Sequence, residues 1–124
     1  MIDKNDIHAK ELQAIYDRTI KNGGCTFNVY KGRFVSKPDL YMVSIEGQGE
    51  TIPLRRFNLH TIKRYIVEHI DMMGEAYLGT WIDGDMLHFD LNRGLWPLWV
   101  AIDEGIKNHQ KAIYHCKTGK TIYL

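Results

Sequence analysis

The sequence predicts an α+β fold, a mostly antiparallel sheet of about six to seven strands with three helices packed on it. The central stretch Ala76–Leu91 alternates like two strands folded back on each other through the turn dipeptide Asp83-Gly84. After Asn58, a good helix cap, Leu59–Met73 carries apolar residues at helical spacing and stops at Gly74. The connections between the other apolar segments are too short for parallel crossovers, which indicates antiparallel neighbours.

The first helix is predicted over about residues 4–22, with Asp3 or Asn5 as its cap and Gly23-Gly24 at its end. Its apolar stripe is ragged, which favours packing at the domain edge or against a second copy. The element order is α-β-β-β-α-β-β-α-β-β, with one further short segment that Pro53 places at a sheet edge. After the first helix the predicted elements cover Cys25–Tyr30, Arg33–Val35, Leu40–Ile45, Thr51–Leu54, Leu59–Met73, the two strands of Ala76–Leu91, Pro97–Asn108, Lys111–Cys116 and Thr121–Leu124.

Composition and charge indicate one globular domain over residues 1–124. The chain is 44% hydrophobic and 25% charged, with a formal charge of +1 from 16 basic and 15 acidic residues. That balance argues against a DNA mimic, because such proteins are acidic. It also argues against a protein that binds mainly the phosphate backbone of nucleic acids, because such proteins are basic. No secretory segment opens the chain and no apolar run approaches the ~20 residues of a membrane span, so we expect a cytoplasmic protein with Cys25 and Cys116 reduced.

Two registers of the central hairpin are compatible with the sequence. A two-residue loop at Asp83-Gly84 places Trp81 opposite Met86, whereas a three-residue loop ending at Asp85 places Trp81 opposite Leu87. We favour the second because it buries the large apolar area of Trp81. In either case strand alternation puts one set of side chains on one face and a second set on the other. The first set is Leu87, Phe89 and Leu91, and the second is Met86, His88 and Asp90.

Three segments read together carry a resemblance: Gly79-Thr80-Trp81-Ile82-Asp83, Leu87-His88-Phe89-Asp90, and Asn108-His109-Gln110-Lys111-Ala112-Ile113-Tyr114. The arrangement resembles small proteins encoded by bacteriophages and mobile elements, over roughly Ile52 to Leu124. In this chain Gly84 comes one place earlier than the turn glycine of that pattern. The resemblance implies a setting, a phage or its bacterial host, where small inhibitors of host defence are common. No catalytic residue can be assigned to this chain from the resemblance.

Several residues are candidates for chemistry. His88 and Asp90 share a strand face, so the carboxylate could orient the imidazole for acid–base work; the alternative is a solvated histidine beside a structural aspartate. A zinc site would need four ligands in closely spaced pairs, and no such set is present, so buried Cys116 and surface histidines are the expected arrangement. We predict no metal and no cofactor. The metal candidates considered were Cys25, Cys116, His60, His69, His109 and His115.

Two surfaces are candidates for binding. A basic cluster near the second helix, Arg55, Arg56, Lys63 and Arg64, could contact nucleic acid or form only a solvated helix face. Trp96 and Trp99 stand three residues apart at a helix start, and such aromatic residues anchor protein interfaces. The alternative is that one of them packs under the helix and the other lies on the sheet edge. The candidate protein-interface residues are Trp96, Trp99, Tyr77 and Trp81.

From these observations we expect a small non-enzymatic protein that binds a host protein stoichiometrically. Given the resemblance, its most concrete form is an anti-defence inhibitor, such as an anti-CRISPR protein, in the cytoplasm of a bacterial host cell. A nucleic-acid-binding accessory or regulatory protein is the alternative, and a small enzyme using His88 and Asp90 is the third. Self-association through the first helix or the edge strand Thr121–Leu124 is a further expectation.

Overall fold

In the computed structural model, residues 8–36 and 38–124 are described. This part of the chain forms three α-helices and eight strands, which confirms the α+β class and most of the predicted order. The helices are α1 Ala9–Asn22, α2 Leu59–Glu68 and α3 Leu98–Lys107. The strands are β1 Gly24–Asn28, β2 Arg33–Phe34, β3 Tyr41–Ser44, β4 Glu50–Pro53, β5 Tyr77–Asp83, β6 Met86–Leu95, β7 Ala112–His115 and β8 Lys120–Tyr123.

The sheet is built around β6. Strands follow the order β2-β1-β5-β6-β3-β7-β8, and every pairing is antiparallel. One side of β6 pairs along most of its length with β5, while its other side is shared by β4 and β3. The short β4 ends at Pro53, as predicted from the proline, because a proline cannot donate to a ladder.

Both predicted registers of the central hairpin are wrong, although the two-residue alternative places Trp81 on the correct face. Asp83 pairs with Met86 and Trp81 with His88, so the two loop residues are Gly84 and Asp85. Gly84 has a φ of 59° at the first loop position, where a tight hairpin turn accepts glycine. Trp81 is therefore not buried in the core: it is 44% exposed, on the face away from the helices. The predicted separation of Leu87, Phe89 and Leu91 from their even-numbered neighbours is confirmed.

Local signals position the helices. Asn58 caps α2 in a reciprocal capping box with Thr61, as its position before the apolar stripe predicted. The α2 helix ends at Glu68, earlier than predicted, and a 3-10 turn carries the chain on to the buried Met73. The α1 helix begins at Ala9 and ends at Asn22, where Gly23 caps it with a φ of 82°. Its predicted caps lie outside the described residues.

All three described helices pack on the same face of the sheet. The larger core cluster places Ile15 of α1 and Ile66 of α2 against Leu78 and Phe89. Because Ile15 is fully buried, α1 belongs to this core. The smaller cluster places Ala101 of α3 against Val43 of β3 and Ile113 of β7. Strand pairing puts these two residues on the same face of the sheet as Phe89. None of the helices in residues 8–36 and 38–124 is long and apolar enough to span a bilayer.

Candidate functional site

The opposite face of the sheet, which we call the open face, forms a concave trough of about 900 Å³. Strand pairing brings residues from six strands into it, because residues directly opposite each other in a ladder share a face. The residues on its floor are small or polar, and three exposed aromatic side chains project from the same face. The floor residues are Thr26, Ser44, Gly79, Asp90 and Asn92, and the aromatic residues are Trp81, Tyr114 and Tyr123.

Trp81 holds a cluster of three side chains together. Its indole stacks on the His88 imidazole, with ring centroids 3.9 Å apart and planes 13° apart. Its Nε1 donates a hydrogen bond to Oδ2 of Asp90 at 3.0 Å. The sequence placed His88 and Asp90 on one face, and the structure adds Trp81 from the neighbouring strand as the group that joins them.

Asp90 is a carboxylate held in a poorly hydrated position. Burial raises the pKa of its carboxyl above the usual aspartate range, although the Trp81 hydrogen bond and the nearby His88 act in the opposite direction. Only Oδ2 receives a hydrogen bond from the described residues. A charge in such a place is costly unless another group compensates it.

Two glycines flank the Asp90 carboxylate, and we call the space beside its Oδ1 the slot. Gly79 lies directly opposite Asp90 on β5. A Cβ built on Gly49, which precedes β4, would come within 3.2 Å of Asp90 Oδ1. A Cβ on Gly79 would meet the Asn92 amide nitrogen at 2.5 Å, and that amide group accepts a hydrogen bond from Ser44 through its oxygen at 2.8 Å. The Asn92 amide therefore fills the space over Gly79, whereas Gly49 adds no side chain beside Oδ1.

His88 is positioned by groups other than Asp90. Its Nδ1 hydrogen-bonds Thr51 Oγ1 at 2.8 Å, and its Nε2 is buried with no hydrogen-bond partner in the described part of the chain. The nearest carboxylate oxygen to Nε2 belongs to Asp83, at 4.0 Å. Asp90 therefore does not orient the imidazole of His88. Thr51 bonds its Nδ1, and the Trp81 indole stacks on its ring.

A smaller cleft of about 330 Å³ adjoins the trough, and Asp90 lines both. In the cleft the Glu46 carboxylate meets Nδ1 of His109 at 2.9 Å. His109 has a φ of 54°, a conformation that residues other than glycine adopt rarely. Asn108 Oδ1 accepts from the Glu46 backbone N–H, so the loop after β3 is tied to the end of α3.

One of the four residues in the predicted basic cluster, Arg64, takes part in an ion-pair network. Arg64 bonds the carboxylates of Glu50 and Glu68, and its hydrogen bond to Glu50 is the main reason that its pKa lies above the ordinary arginine value. The other three members are exposed on the 3-10 turn before α2 and on α2 itself. These are Arg55, Arg56 and Lys63.

The four predicted interface residues fall in two places. Trp81 and Tyr77 belong to the open face, where the Tyr77 ring lies over Gly94. Trp96 and Trp99 are 64% and 70% exposed at the start of α3, so neither packs under the helix.

The cysteines and histidines are separated. Burial raises the pKa of both free thiols, Cys25 and Cys116. His115, expected at the surface, is largely buried: it stacks on Tyr41 and bonds Asp39 at 2.7 Å. Among the described residues, no group of three or more histidine, cysteine and acidic side chains is placed to hold a metal ion.

Sequence reasoning identified Trp81, His88 and Asp90 but not the trough around them. Gly49 and Tyr114 reach the site through strand pairing, so they are indicated only once the register is known. Asn92 follows Asp90 by two residues on β6, but the predicted strand ended at Leu91. Comparison of the chain with protein-family models, with curated proteins and with solved structures found no match.

Proposed function

We propose that this protein acts by binding another protein stoichiometrically, with the trough on its open face as the binding surface. The observation that carries the proposal is the placement of all three described helices on one face, which leaves a polar, aromatic-lined trough on the other. Given the resemblance described above, we propose that the partner is a bacterial host protein. An inhibitor of host defence, such as an anti-CRISPR protein, is the most specific form of this proposal.

The aromatic side chains of the trough support a protein partner. Trp81, Tyr114 and Tyr123 are 44%, 43% and 80% exposed although each projects from a regular strand. Tryptophan and tyrosine contribute large contact areas while losing little side-chain entropy on binding. Strand pairing also fixes their backbones before the partner arrives, which reduces the ordering cost of association.

The nucleic-acid alternative has less support. Phosphate binding needs a cluster of free basic groups, and Arg64 is neutralised by Glu50 and Glu68. The enzymatic alternative likewise loses its main premise, because Asp90 bonds Trp81 and His88 bonds Thr51.

Affinity capture tests the proposal. The tagged protein would be incubated with nuclease-treated lysates from a panel of bacteria, washed at low and at high salt, and eluted for mass spectrometry and size analysis. We expect one protein enriched at equal stoichiometry and retained in high salt. Capture of nucleic acid alone, with a steep loss as salt rises, would favour the alternative. Failure to enrich any protein from the whole panel would contradict the proposal.

A further inference from the structure

The most specific feature of the trough is the slot over Asp90. It has the Asp90 carboxylate on its floor, Gly49 on one side, the Asn92 amide over Gly79 on the other, and the Trp81 indole beside it. Oδ2 is engaged by the indole N–H, whereas Oδ1 receives no hydrogen bond from the described residues. The slot thus offers one free acceptor and an aromatic ring at the same point.

The charges around the slot indicate the sign of its ligand. The adjoining cleft contributes a second carboxylate, Glu46, with His109 bound to it. The basic groups of the trough, Arg18 and Lys117, lie near the two ends of the sheet, and the Arg18 guanidinium rests 3.8 Å above the Phe34 ring. The middle of the open face is therefore acidic, and a cationic group placed there would compensate the poorly hydrated Asp90.

We propose that the slot receives an arginine side chain of the partner protein, whose guanidinium donates to Asp90 and stacks beside the Trp81 indole. A guanidinium is planar, so it can approach Oδ1 past Gly49, which has no side chain, and it combines hydrogen-bond donation with stacking on an aromatic ring. This inference rests on the proposed function, because it names the group that the bound partner inserts into the trough.

Titration with a short peptide tests the inference on the intact protein. The probe is a capped Gly-Arg-Gly peptide at millimolar concentration, and the matched control replaces arginine by citrulline, which keeps the planar shape but has no charge. The reporter is the ¹⁵N-labelled indole N–H signal of Trp81, identified by its loss in Trp81→Phe. Trp96 and Trp99 act as internal references, because they lie at the start of α3.

We expect saturable movement of the Trp81 signal with arginine and none with citrulline. Asp90→Asn should weaken the arginine peptide at least about tenfold, since a charged partner is lost. Gly49→Ala should weaken it several-fold with the carboxylate retained, because the added methyl group narrows the slot. Asp103→Asn, which removes an exposed carboxylate on α3, is the matched control and should leave the affinity unchanged.

Three results would overturn the inference: equal binding of citrulline, full affinity in Asp90→Asn, or tighter binding of the corresponding lysine peptide. Its failure is distinguishable from failure of the proposed function. If a captured protein partner binds Asp90→Asn as tightly as the wild type, the arginine inference fails and the proposed function stands. If no partner is captured, the peptide titration still decides whether the slot binds a guanidinium.

Discussion

At the residue scale, the burial of Asp90 is expected to lower the stability of the free protein. Its carboxylate is held away from bulk water by the surrounding strands, with one hydrogen bond from Trp81. A residue chosen only for stability in this position would carry no charge. An aspartate that destabilises the free protein is consistent with a group that is compensated when a ligand binds.

Asp90→Asn should raise the free energy of unfolding near neutral pH. Since the folded-state pKa lies above the unfolded value, Asp90 contributes most to stability below the ordinary aspartate pKa of about 3.9, and this contribution is lost as pH rises through the raised value. Asparagine does not titrate and still accepts from the indole. The stability difference between variant and wild type should therefore grow with pH, which denaturant unfolding at several pH values measures.

The control for this prediction is Asp103→Asn, which removes an exposed carboxylate paired with Lys107 and should change stability little. A stability gain in Asp90→Asn that is as large below the ordinary aspartate pKa as at neutral pH would contradict the electrostatic explanation.

The residue scale is also where prediction from sequence was strongest. Asn58 was identified as a cap from its position before an apolar stripe, and Gly23 as the end of the first helix; both are confirmed. Such signals depend on a residue and its immediate neighbours. The partners of Asp90 were not predictable, because Trp81 and Gly49 reach it only through strand pairing.

At the element scale, a pair of buried hydroxyls joins α1 to the sheet. Thr19 Oγ1 and Thr80 Oγ1 are 2.7 Å apart, both side chains are buried, and Thr19 also donates to the Ile15 carbonyl. With Thr19 donating to that carbonyl, the Thr80 hydroxyl donates to Thr19. Thr80 therefore needs Thr19 as its hydrogen-bond acceptor, whereas the Thr19 hydroxyl does not need Thr80 as an acceptor.

Thr19→Val should cost about 1–3 kcal/mol, because it leaves the buried Thr80 hydroxyl with only the weak acceptor Cys25 Sγ at 3.3 Å. Thr80→Val should cost less, since Thr19 keeps its bond to Ile15. Denaturant unfolding of both single variants and the double variant measures the coupling. Equal single costs that add in the double variant would contradict this arrangement.

Glycines control how closely the strands approach. A Cβ on Gly24 would lie 2.5 Å from the backbone oxygen of Thr80, so Gly24→Ala must separate β1 from β5 and should cost about 1–3 kcal/mol. A Cβ on Gly79 meets only the movable amide of Asn92, so Gly79→Ala should cost less. Thermal or denaturant unfolding ranks the variants.

Gly74→Ala is the matched control for these variants. Gly74 has open space around it, and the substitution should leave stability unchanged or raise it by less than about 1 kcal/mol. A greater loss in Gly79→Ala than in Gly24→Ala would contradict the proposed difference between a backbone contact and a side-chain contact.

Element positions could be predicted well and their register could not. The hairpin faces followed from alternation alone, and these are confirmed. The register depends on which residue takes positive φ, and the sequence Asp83-Gly84-Asp85 is compatible with glycine at either loop position. The structure places Gly84 first, which moves Trp81 to the open face.

At the scale of the whole molecule, the topology creates the candidate site. Because α1, α2 and α3 all cover one face, the other face combines residues that are far apart in the sequence, from Thr26 to Tyr123. Alternation predicts a two-faced sheet but not which helices cover which face. The trough was therefore beyond sequence reasoning, although two residues of its lining, Trp81 and Asp90, were named as candidates.

The affinity of a captured partner for matched variants tests the central claim, that the open face is the binding surface. Trp81→Ser combined with Tyr114→Ser removes exposed aromatic groups of the trough, whereas Tyr30→Ser removes a more exposed ring outside its lining. Trp99→Ser tests the exposed start of α3. We predict that the trough variant weakens the complex at least about a hundredfold, or about 2.7 kcal/mol, while the other two bind within a few-fold of the wild type. Full affinity in the trough variant, or loss of binding in Trp99→Ser alone, would contradict the claim.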